Sequence, residues 1–172
     1  MPPPPCAIRD LDPASAAEVD LVARRMRATL VEVEGEEAGT ALYTMDWLRE
    51  RVRWHLDPAN CAGRVLVSLD AAGAITGHAI VREEKDESGR AFGLFSTVFV
   101  DPPLRRAGIA SRLLDAGEAW FRERRLAEAA TWTSSTNAKL VALLVGRGYG
   151  ITAHHVHEVT GTVMVRLARP LA

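Results

Sequence analysis

The stretch VFVDPPLRRAGIASRLL, residues 98–114, decides the fold. It contains the end of an apolar strand, a double proline that stops the strand, a basic turn and the start of a helix. The first N–H groups of a helix lack partners within the helix, and its dipole adds positive charge at that end. Gly108 and Ala110 leave room for an anion near the backbone, and Arg105, Arg106 and Arg112 can pair with phosphate oxygens. The stretch therefore predicts a site for a ligand with a pyrophosphate group.

Two common nucleotide-binding motifs are missing from this turn. A P-loop needs GxxxxGK[ST], but no lysine lies near the turn. A dinucleotide fingerprint needs GxGxxG, and Gly108 has no such partners. ATP and NAD are therefore poor candidates for the ligand. A mononucleotide-binding fold of another kind is disfavoured by the same lack of lysine and of acidic metal ligands.

Helical periodicity occurs on both sides of the turn. Asp12 as an N-cap, with Pro13 after it, predicts a helix that ends near Gly35, and a second helix is predicted over residues 44–56. After the turn, helices are predicted over residues 109–125 and from Thr136 or Asn137 to Val145. Gly148 stands where the end of a helix requires a residue with positive φ.

Strand periodicity fills the remaining segments. A first strand begins at residues 7–9, and alternating residues predict a hairpin of strands 65–69 and 75–81, with a charged turn at 82–90. Residues 92–100 are apolar on both faces, which is typical of a central strand. Further strands are predicted at residues 129–133 and 163–167. The order indicates one α/β domain with a mixed sheet over residues 7–172, after an extended proline-rich tail of residues 1–6.

Composition sets limits on partners and location. The 172 residues carry 21 Lys+Arg and 22 Asp+Glu, a net charge of -1, which argues against general binding to nucleic acid or membranes. The longest apolar run, residues 140–145, is too short to span a bilayer, and the N-terminus lacks the pattern of a secretory signal. Cys6 and Cys61 have no disulfide or zinc spacing, so we expect no metal and a cytoplasmic protein.

The turn resembles the signature of the general N-acetyltransferase (GNAT) superfamily, [QR]xxGx[GA]. Here the signature reads RRAGIA over residues 105–110, and Val100 and Pro102 precede it at the family's spacing. Asn137, followed later by RGY at residues 147–149, is similar to the family's "Asn... Gly-Phe" segment. The order of elements also matches from about residue 7 to residue 168.

The resemblance implies a fold, a cofactor and a reaction. The fold is a mixed, mostly antiparallel sheet flanked by helices, in which strands four and five splay apart. The cofactor is acetyl-CoA, and the reaction moves the acetyl group to a primary amine of a small molecule or a protein, by direct attack in a ternary complex. The implied cofactor-binding residues are Val98 and Val100 for the pantetheine arm, Arg105, Arg106, Ala107, Gly108, Ile109 and Ala110 for the diphosphate, with Ser111 close by, and Asn137 for the pantetheine or adenosine.

The catalytic residues stay open at this point. The family often has an acid on strand four and a tyrosine on the last helix, but residues 91–100 contain no Asp or Glu, and Leu144 stands at the tyrosine position. The weak candidates for a base are Ser96, Glu83 or Glu84, and His154, His155 or His157. The glutamates are also typical of a solvated turn, and the histidines of an exposed strand edge. A non-catalytic acyl-CoA-binding or sensor domain is therefore the alternative to an enzyme.

An acidic stretch suggests a site for the acceptor. VEVEGEE, residues 31–37, carries four glutamates near the predicted end of the first helix, where the helix dipole makes acids mildly unfavourable. We hypothesise that they attract a cationic amine, the alternative being a solvated loop. Tyr43, Trp47 and Trp54 could line the same pocket or lie in the core. The sequence leaves the acceptor, the acyl chain beyond acetyl and a homodimer open.

Overall fold

The computed structural model describes residues 6–171, so residues 1–5 of the predicted tail lie outside the described part of the chain. The strands are β1 (Ala7–Asp10), β2 (Gly63–Leu69), β3 (Ile75–Lys85), β4 (Ala91–Val100), β5 (Glu128–Ser134), β6 (Gly150–Val156) and β7 (Val163–Pro170). The α-helices are α1 (Ala16–Glu34), α2 (Glu36–Ala41), α3 (Met45–Leu56), α4 (Ile109–Glu123) and α5 (Ala138–Gly146). A short 3-10 turn, Pro102–Leu104, follows β4.

All seven strands lie in one sheet, in the order β1-β2-β3-β4-β5-β7-β6. Neighbouring strands are antiparallel except for the parallel pair β4 and β5. That pair is in register at two positions only, Gly93 with Ala129 and Leu94 with Ala130, although both strands continue further. The predicted mixed α/β sheet with splayed strands four and five is therefore confirmed.

Helix α1 begins three residues later than predicted. Its N-cap is Ser15, whose hydroxyl accepts a hydrogen bond from the Glu18 amide at 3.2 Å. The predicted cap, Asp12, instead accepts from the Ala14 amide and closes a turn before the helix. The Glu18 carboxylate also accepts a hydrogen bond from the Asp12 amide, so Glu18 binds the segment before the helix through both its backbone amide and its side chain.

A short helix, α2, replaces the predicted acidic loop. Gly35 ends α1 with φ 90° and serves as the N-cap of α2. Glu36 and Glu37 therefore lie in the first turn of a helix, where the dipole favours negative charge. The expectation that all four glutamates sit at an unfavourable helix end was wrong for these two.

Two strands also differ from the sequence prediction. Strand β3 extends to Lys85 because the charged residues 82–85 pair with the first residues of β4, so the turn shrinks to residues 86–90. Strand β6 was absent from the predicted order, since all its residues except Ala153 are exposed and no buried face marks it. Gly148, just before it, has φ 92°, as predicted.

The helices cover the sheet on both faces. Helices α1 and α3 pack on one face over β2 and β3, and α4 and α5 pack on the other. Helix α4 lies close to β4 because a glycine on each element faces a phenylalanine on the other. A Cβ at Gly93 would stand 2.3 Å from the Phe121 ring, and one at Gly117 would stand 2.3 Å from the Phe95 ring. This close packing sets the position of the first turn of α4 relative to β4.

The structure also bears on membranes and metals. Between residues 6 and 171, no helix combines the length and the hydropathy that crossing a membrane would require. Over the same residues, no group of three or more His, Cys, Asp or Glu side chains is arranged to hold a metal ion.

Candidate functional site

A cleft of about 900 Å³ opens where β4 and β5 part. The last link between the two strands is the Thr131 hydroxyl, which donates to the Phe95 carbonyl at 2.7 Å. Beyond it, the outer edge of β4 faces the cleft, the first turns of α4 and α5 form two walls, and α1 forms a third. The lining residues are Thr29, Glu32, Val33, Val98–Val100, Pro102, Leu104–Arg106, Gly108–Ser111, Asn137–Leu140, Ala142 and Leu143.

A β-bulge lies at the point where the strands separate. Ile80 of β3 pairs with Thr97 of β4, but the next residue, Val81, pairs with Phe95. Ser96 is therefore an extra residue with no partner on β3. A bulge bends the strand that carries it. This one turns β4 away from β5 one residue beyond their last link.

The turn before α4 presents a row of unused hydrogen-bond donors. The amides of residues 106–111 donate to no carbonyl or side chain among the described residues. Arg106 and Gly108 have positive φ, 67° and 83°, and this backbone course aims consecutive amides to one side. Free amides at the positive end of a helix dipole are the groups that favour an anion.

The glycine at position 108 is required by backbone conformation. A Cβ there would meet no atom within 4 Å, so crowding does not exclude a side chain. Its φ of 83° lies in the left-handed region, which costs other residues roughly 1–2 kcal/mol. The positive φ is a second reason for a glycine here, beside the close approach of an anion that the sequence predicts.

Two of the three predicted arginines have other partners in this structure. Arg105 donates to both carboxylate oxygens of Glu32, at 2.6 and 3.0 Å, and to the Val100 carbonyl at 2.9 Å. Arg112 donates to the Cys6 carbonyl at 3.2 Å. The hydrogen bond with Glu32 raises the pKa of Arg105, and it lowers the pKa of Glu32. The arginine at the cleft that keeps its side chain exposed is Arg106.

Helix α5 forms the opposite wall. Asn137 stands at its N-cap position, but the side chain donates to the Thr133 hydroxyl at 3.2 Å and does not cap the helix. Lys139 follows on the first turn and adds an exposed cation to the cleft. Leu144, at the position where the family has a tyrosine, is 1% exposed and packs in the core. No proton donor takes that place.

The cleft gathers nine of the ten predicted cofactor-binding residues, and Ala107 lies within the same turn without lining it. The lining residues that the sequence did not indicate include Phe99, Lys139 and the α1 wall, which is formed by Thr29, Glu32 and Val33. The α1 wall gives no sequence signal because it lies about 70 residues before the turn. Lys139 could have been noticed, since it is one of two lysines in the chain and follows Asn137 closely.

Glu83 and Glu84, proposed as weak base candidates, lie away from the cleft. Glu83 pairs with Arg124 at 2.7 Å, and Glu84 pairs with Arg82 at 3.1 Å. Glu84 is in register with Phe92, six residues before Val98, which corresponds to about 20 Å along the strand. Neither carboxylate can reach a substrate bound beside Val98.

The histidines lie on the far edge of the sheet. His154 and His155 are exposed on β6, and β5 and β7 stand between that strand and β4. His157 accepts from the amides of Val159 and Thr160 and stabilises a turn. Of Ser96, Glu84 and His154, the structure therefore places only Ser96 where β4 and β5 separate.

Two of the four acidic side chains of residues 31–37 are already hydrogen-bonded. Glu32 holds Arg105, and Glu34 accepts from the Thr162 hydroxyl at 2.9 Å. Glu36 and Glu37 are exposed on α2.

The aromatic residues proposed for the acceptor pocket lie elsewhere on the surface. Trp47 is 43% exposed and stacks on Tyr43, with the ring centroids 4.0 Å apart. Trp54 and Trp47 line a separate surface pocket of about 320 Å³ on α3. None of the three is among the described residues that line the cleft. Burial raises the pKa of the Cys61 thiol, which disfavours its reactive thiolate form.

Several solved structures have the same fold as this chain. YncA from Salmonella typhimurium, solved with its cofactor acetyl-CoA, is 18% identical, with a TM-score of 0.72 over 97% of this chain and 94% of the other. Spermidine N-acetyltransferase from Vibrio cholerae, in complex with CoA and spermine, is 19% identical, with a TM-score of 0.71 over 96% and 95%. A chain of the NatC complex bound to Gag peptide and CoA is 16% identical, with a TM-score of 0.75 over 97% and 99%.

Sequence comparison gives the family directly. No sequence among curated proteins matches this chain. The model of the acetyltransferase (GNAT) family matches residues 27–149, which include β4, the cleft turn, α4 and all of α5. That match covers well over half of the 172 residues, and the fold agrees with it. The chain belongs to the acetyltransferase (GNAT) family.

Proposed function

We propose that this protein is an acetyl-CoA-dependent N-acetyltransferase that moves an acetyl group to a primary amine of a small molecule or a protein, by direct attack in a ternary complex. The observation that carries the proposal is the row of free amides at residues 106–111, which opens into a cleft beside an unpaired strand edge. A diphosphate suits the amides, and an extended chain with its own amides suits the strand edge.

The residues present fit coenzyme A. The amides of residues 106–110 would hold the diphosphate, with Ser111 beside them, and the exposed Arg106 and Lys139 would face its negative charge. The backbone of Val98 and Val100 would pair with the pantetheine arm, because β5 no longer covers that part of β4. Asn137 would contact the pantetheine or the adenosine side. Arg105 contributes by tying the turn to α1.

The named structural neighbours are consistent with this cofactor and this kind of acceptor. One holds acetyl-CoA, one holds CoA with spermine, and one holds CoA with a peptide. Because their sequence identity to this chain is low, the acceptor of this chain has to be inferred from its own residues. Glu36 and Glu37 remain exposed and could attract a cationic amine, in line with a polyamine or a basic peptide.

In the reaction, the neutral amine nitrogen attacks the carbonyl carbon of the thioester, and the carbon–sulfur bond breaks to release CoA as a thiolate. The nitrogen loses one proton as the amide forms, and the thiolate takes up one proton to become the CoA thiol. Backbone N–H groups at the bulge of β4 would stabilise the negative charge that develops on the carbonyl oxygen. Among the described residues that line the cleft, Glu32 is the one carboxylate, and Arg105 engages it. The acceptor therefore loses its proton to water before attack, with no side-chain base.

The first experiment measures binding by calorimetry with CoA, acetyl-CoA, ATP and NAD. We expect CoA and acetyl-CoA to bind and to stabilise the protein by about 2.7 kcal/mol at 100 times Kd. Stabilisation by ATP and none by CoA would overturn the proposal.

The second experiment follows release of CoA thiol from acetyl-CoA with a panel of amines that includes spermidine, a lysine derivative and a peptide with a free N-terminus. Amine-stimulated release is the expected result. Tight binding of acetyl-CoA without stimulated release by any amine would instead identify a non-catalytic acyl-CoA sensor.

A further inference from the structure

We propose that His78 is a positioning residue for acetyl transfer, which fixes the bulged end of β4 through Thr97 and Phe99. The proposal rests on the proposed function and concerns a residue outside the cleft. His78 lies on β3, has no exposed surface, and is one of the few buried polar side chains in the sheet.

The first contact of His78 reaches the bulge directly. Its Nε2 atom lies 3.1 Å from the Thr97 hydroxyl oxygen. Thr97 follows Ser96, the extra residue of the bulge, and is the first residue of β4 to regain a partner on β3. The hydrogen bond therefore holds the strand on the side of the bulge that leads into the cleft. Without it, the two strands could exchange this irregular register for a neighbouring one.

The second contact supports the wall of the cleft. The imidazole ring stacks on Phe99, with centroids 5.8 Å apart and an angle of 19° between the planes. Phe99 lines the cleft, and the guanidinium groups of Arg25 and Arg105 each lie 5.7 Å from its ring centroid. His78 thus contacts the residues on both sides of Val98, whose backbone is proposed to pair with the pantetheine arm.

His78 cannot itself serve as a base. Burial, reinforced by the positive charge of Arg25, lowers its pKa to about 3, so the ring stays neutral at any working pH. A neutral, immobile ring is suited to orientation. The pair of His78 and Thr97 resembles a base with a hydroxyl nucleophile in distance, but the imidazolium that such chemistry needs is strongly disfavoured here.

The experiment compares variants that remove or retain the hydrogen bond. His78→Leu removes it together with the ring, Thr97→Val removes it at a half-buried position with little change of shape, and His78→Gln keeps a polar nitrogen within reach of Thr97. The matched control is Thr76→Val, which breaks the buried 2.9 Å hydrogen bond between Thr76 and Ser68, elsewhere on β3. Melting temperature reports folding for each variant.

The first readout is amide hydrogen exchange at residues 95–98 in the protein without ligand, which is independent of turnover. Loss of a buried hydrogen bond should accelerate exchange there by about tenfold in His78→Leu and Thr97→Val, but not in His78→Gln or Thr76→Val. Equal acceleration in Thr76→Val, or none in Thr97→Val, would overturn the proposal.

The second readout separates binding from catalysis. We expect Thr97→Val to lower kcat by about tenfold. The Kd of CoA should change by about twofold, because the variant disturbs the pantetheine contact at Val98 but leaves the amides that hold the diphosphate in place. His78→Gln should recover most of the lost kcat. A loss of CoA affinity equal to the loss of kcat would contradict a role at the bulge. A wild-type protein that binds no CoA would refute the proposed function, whereas the exchange data would still decide whether His78 fixes β4.

Discussion

Arg105 and Glu32 form a two-bonded ion pair between the cleft turn and the last turns of α1, with N–O distances of 2.6 and 3.0 Å. The same guanidinium donates to the carbonyl of Val100, the last residue of β4. One arginine thus joins three elements, although 73 residues separate it from Glu32. It also places a carboxylate in the wall of a cleft that is otherwise suited to anions.

Replacing Glu32 with glutamine should strengthen binding of CoA. The change removes a negative charge from the cleft wall and releases Arg105 toward the ligand, and we expect affinity to rise about threefold to fivefold at low salt and less at high salt. Isothermal titration at two ionic strengths measures this. Glu36→Gln, an exposed change of equal charge on α2, should have a smaller effect. Weaker binding by Glu32→Gln would show that the ion pair is needed to shape the turn.

Gly108→Ala should weaken CoA binding at least tenfold, because alanine disfavours a φ of 83° and the amides would shift. Gly73→Ala is the matched control, since Gly73 also has φ 83° and open space around it, but lies in the distant turn between β2 and β3. Both variants should lose roughly 1–2 kcal/mol of stability. Only Gly108→Ala should lose affinity, and equal affinities would contradict the placement of the diphosphate.

Gly117→Ala should destabilise the protein by about 1–3 kcal/mol, because the new methyl group would stand 2.3 Å from the Phe95 ring. Gly146→Ala provides the comparison, since it is also a helical glycine but a Cβ there meets nothing within 4 Å. Because Gly146 is the last residue of α5, that variant should change stability by less than about 0.5 kcal/mol. Urea denaturation measures both. A stabilised Gly117→Ala would mean that α4 can move away from β4 at little cost.

Two buried histidines should make folding stability depend on pH between about 4 and 6.5. Burial lowers the pKa of His55 to about 4 and that of His78 to about 3, from an ordinary value of 6.5. In this window the unfolded chain binds protons that the folded chain does not, so stability is complete above pH 6.5 and falls as the pH is lowered. The slope should reach about 1.4 kcal/mol per pH unit for each histidine.

Urea denaturation between pH 7 and pH 5 tests this expectation, a range in which carboxylates contribute little. His55→Gln and His78→Gln should each remove about half of the slope, and the double variant should remove nearly all of it. A slope that survives in the double variant would place its origin elsewhere.

The rate of acetyl transfer should follow the ionisation of the acceptor. Since the carboxylate in the cleft is engaged by Arg105, kcat/KM should rise about tenfold per pH unit up to the pKa of the amine. Acceptors with different amine pKa values should shift the profile by the same difference. If the pH profile of kcat/KM instead has its inflection at the same pH for every amine, a side-chain base of the enzyme takes the proton.

Sequence reasoning worked best where one periodicity persisted. The central strand β4, the proline stop and helix α4 were predicted because each has an unbroken pattern and a clear boundary signal. Strand β6 was not predicted because it lies at the edge of the sheet and exposes both faces, so its sequence lacks the apolar–polar alternation that marks a strand. Helix α2 escaped because six residues are too few to show a helical period.

The cleft shows a similar division between local and distant information. Its backbone donors follow from a local pattern of glycine and helix start, so residues 105–111 could be named from the sequence. The partner of Arg105 could not, since the nearest acidic residues in the sequence are not the ones that the fold brings to it. The position of Thr97 beside a bulge could not be predicted either, because a bulge depends on the register of two strands and has no signal in the sequence of either strand alone.

Only two register positions, Gly93 with Ala129 and Leu94 with Ala130, join the half of the sheet formed by β1 to β4 to the half formed by β5, β7 and β6. The width of a ligand between the two halves is therefore restricted, since a wider ligand would have to break this pairing. Its length is less restricted, because a narrow ligand can extend past the open end of the cleft into solvent.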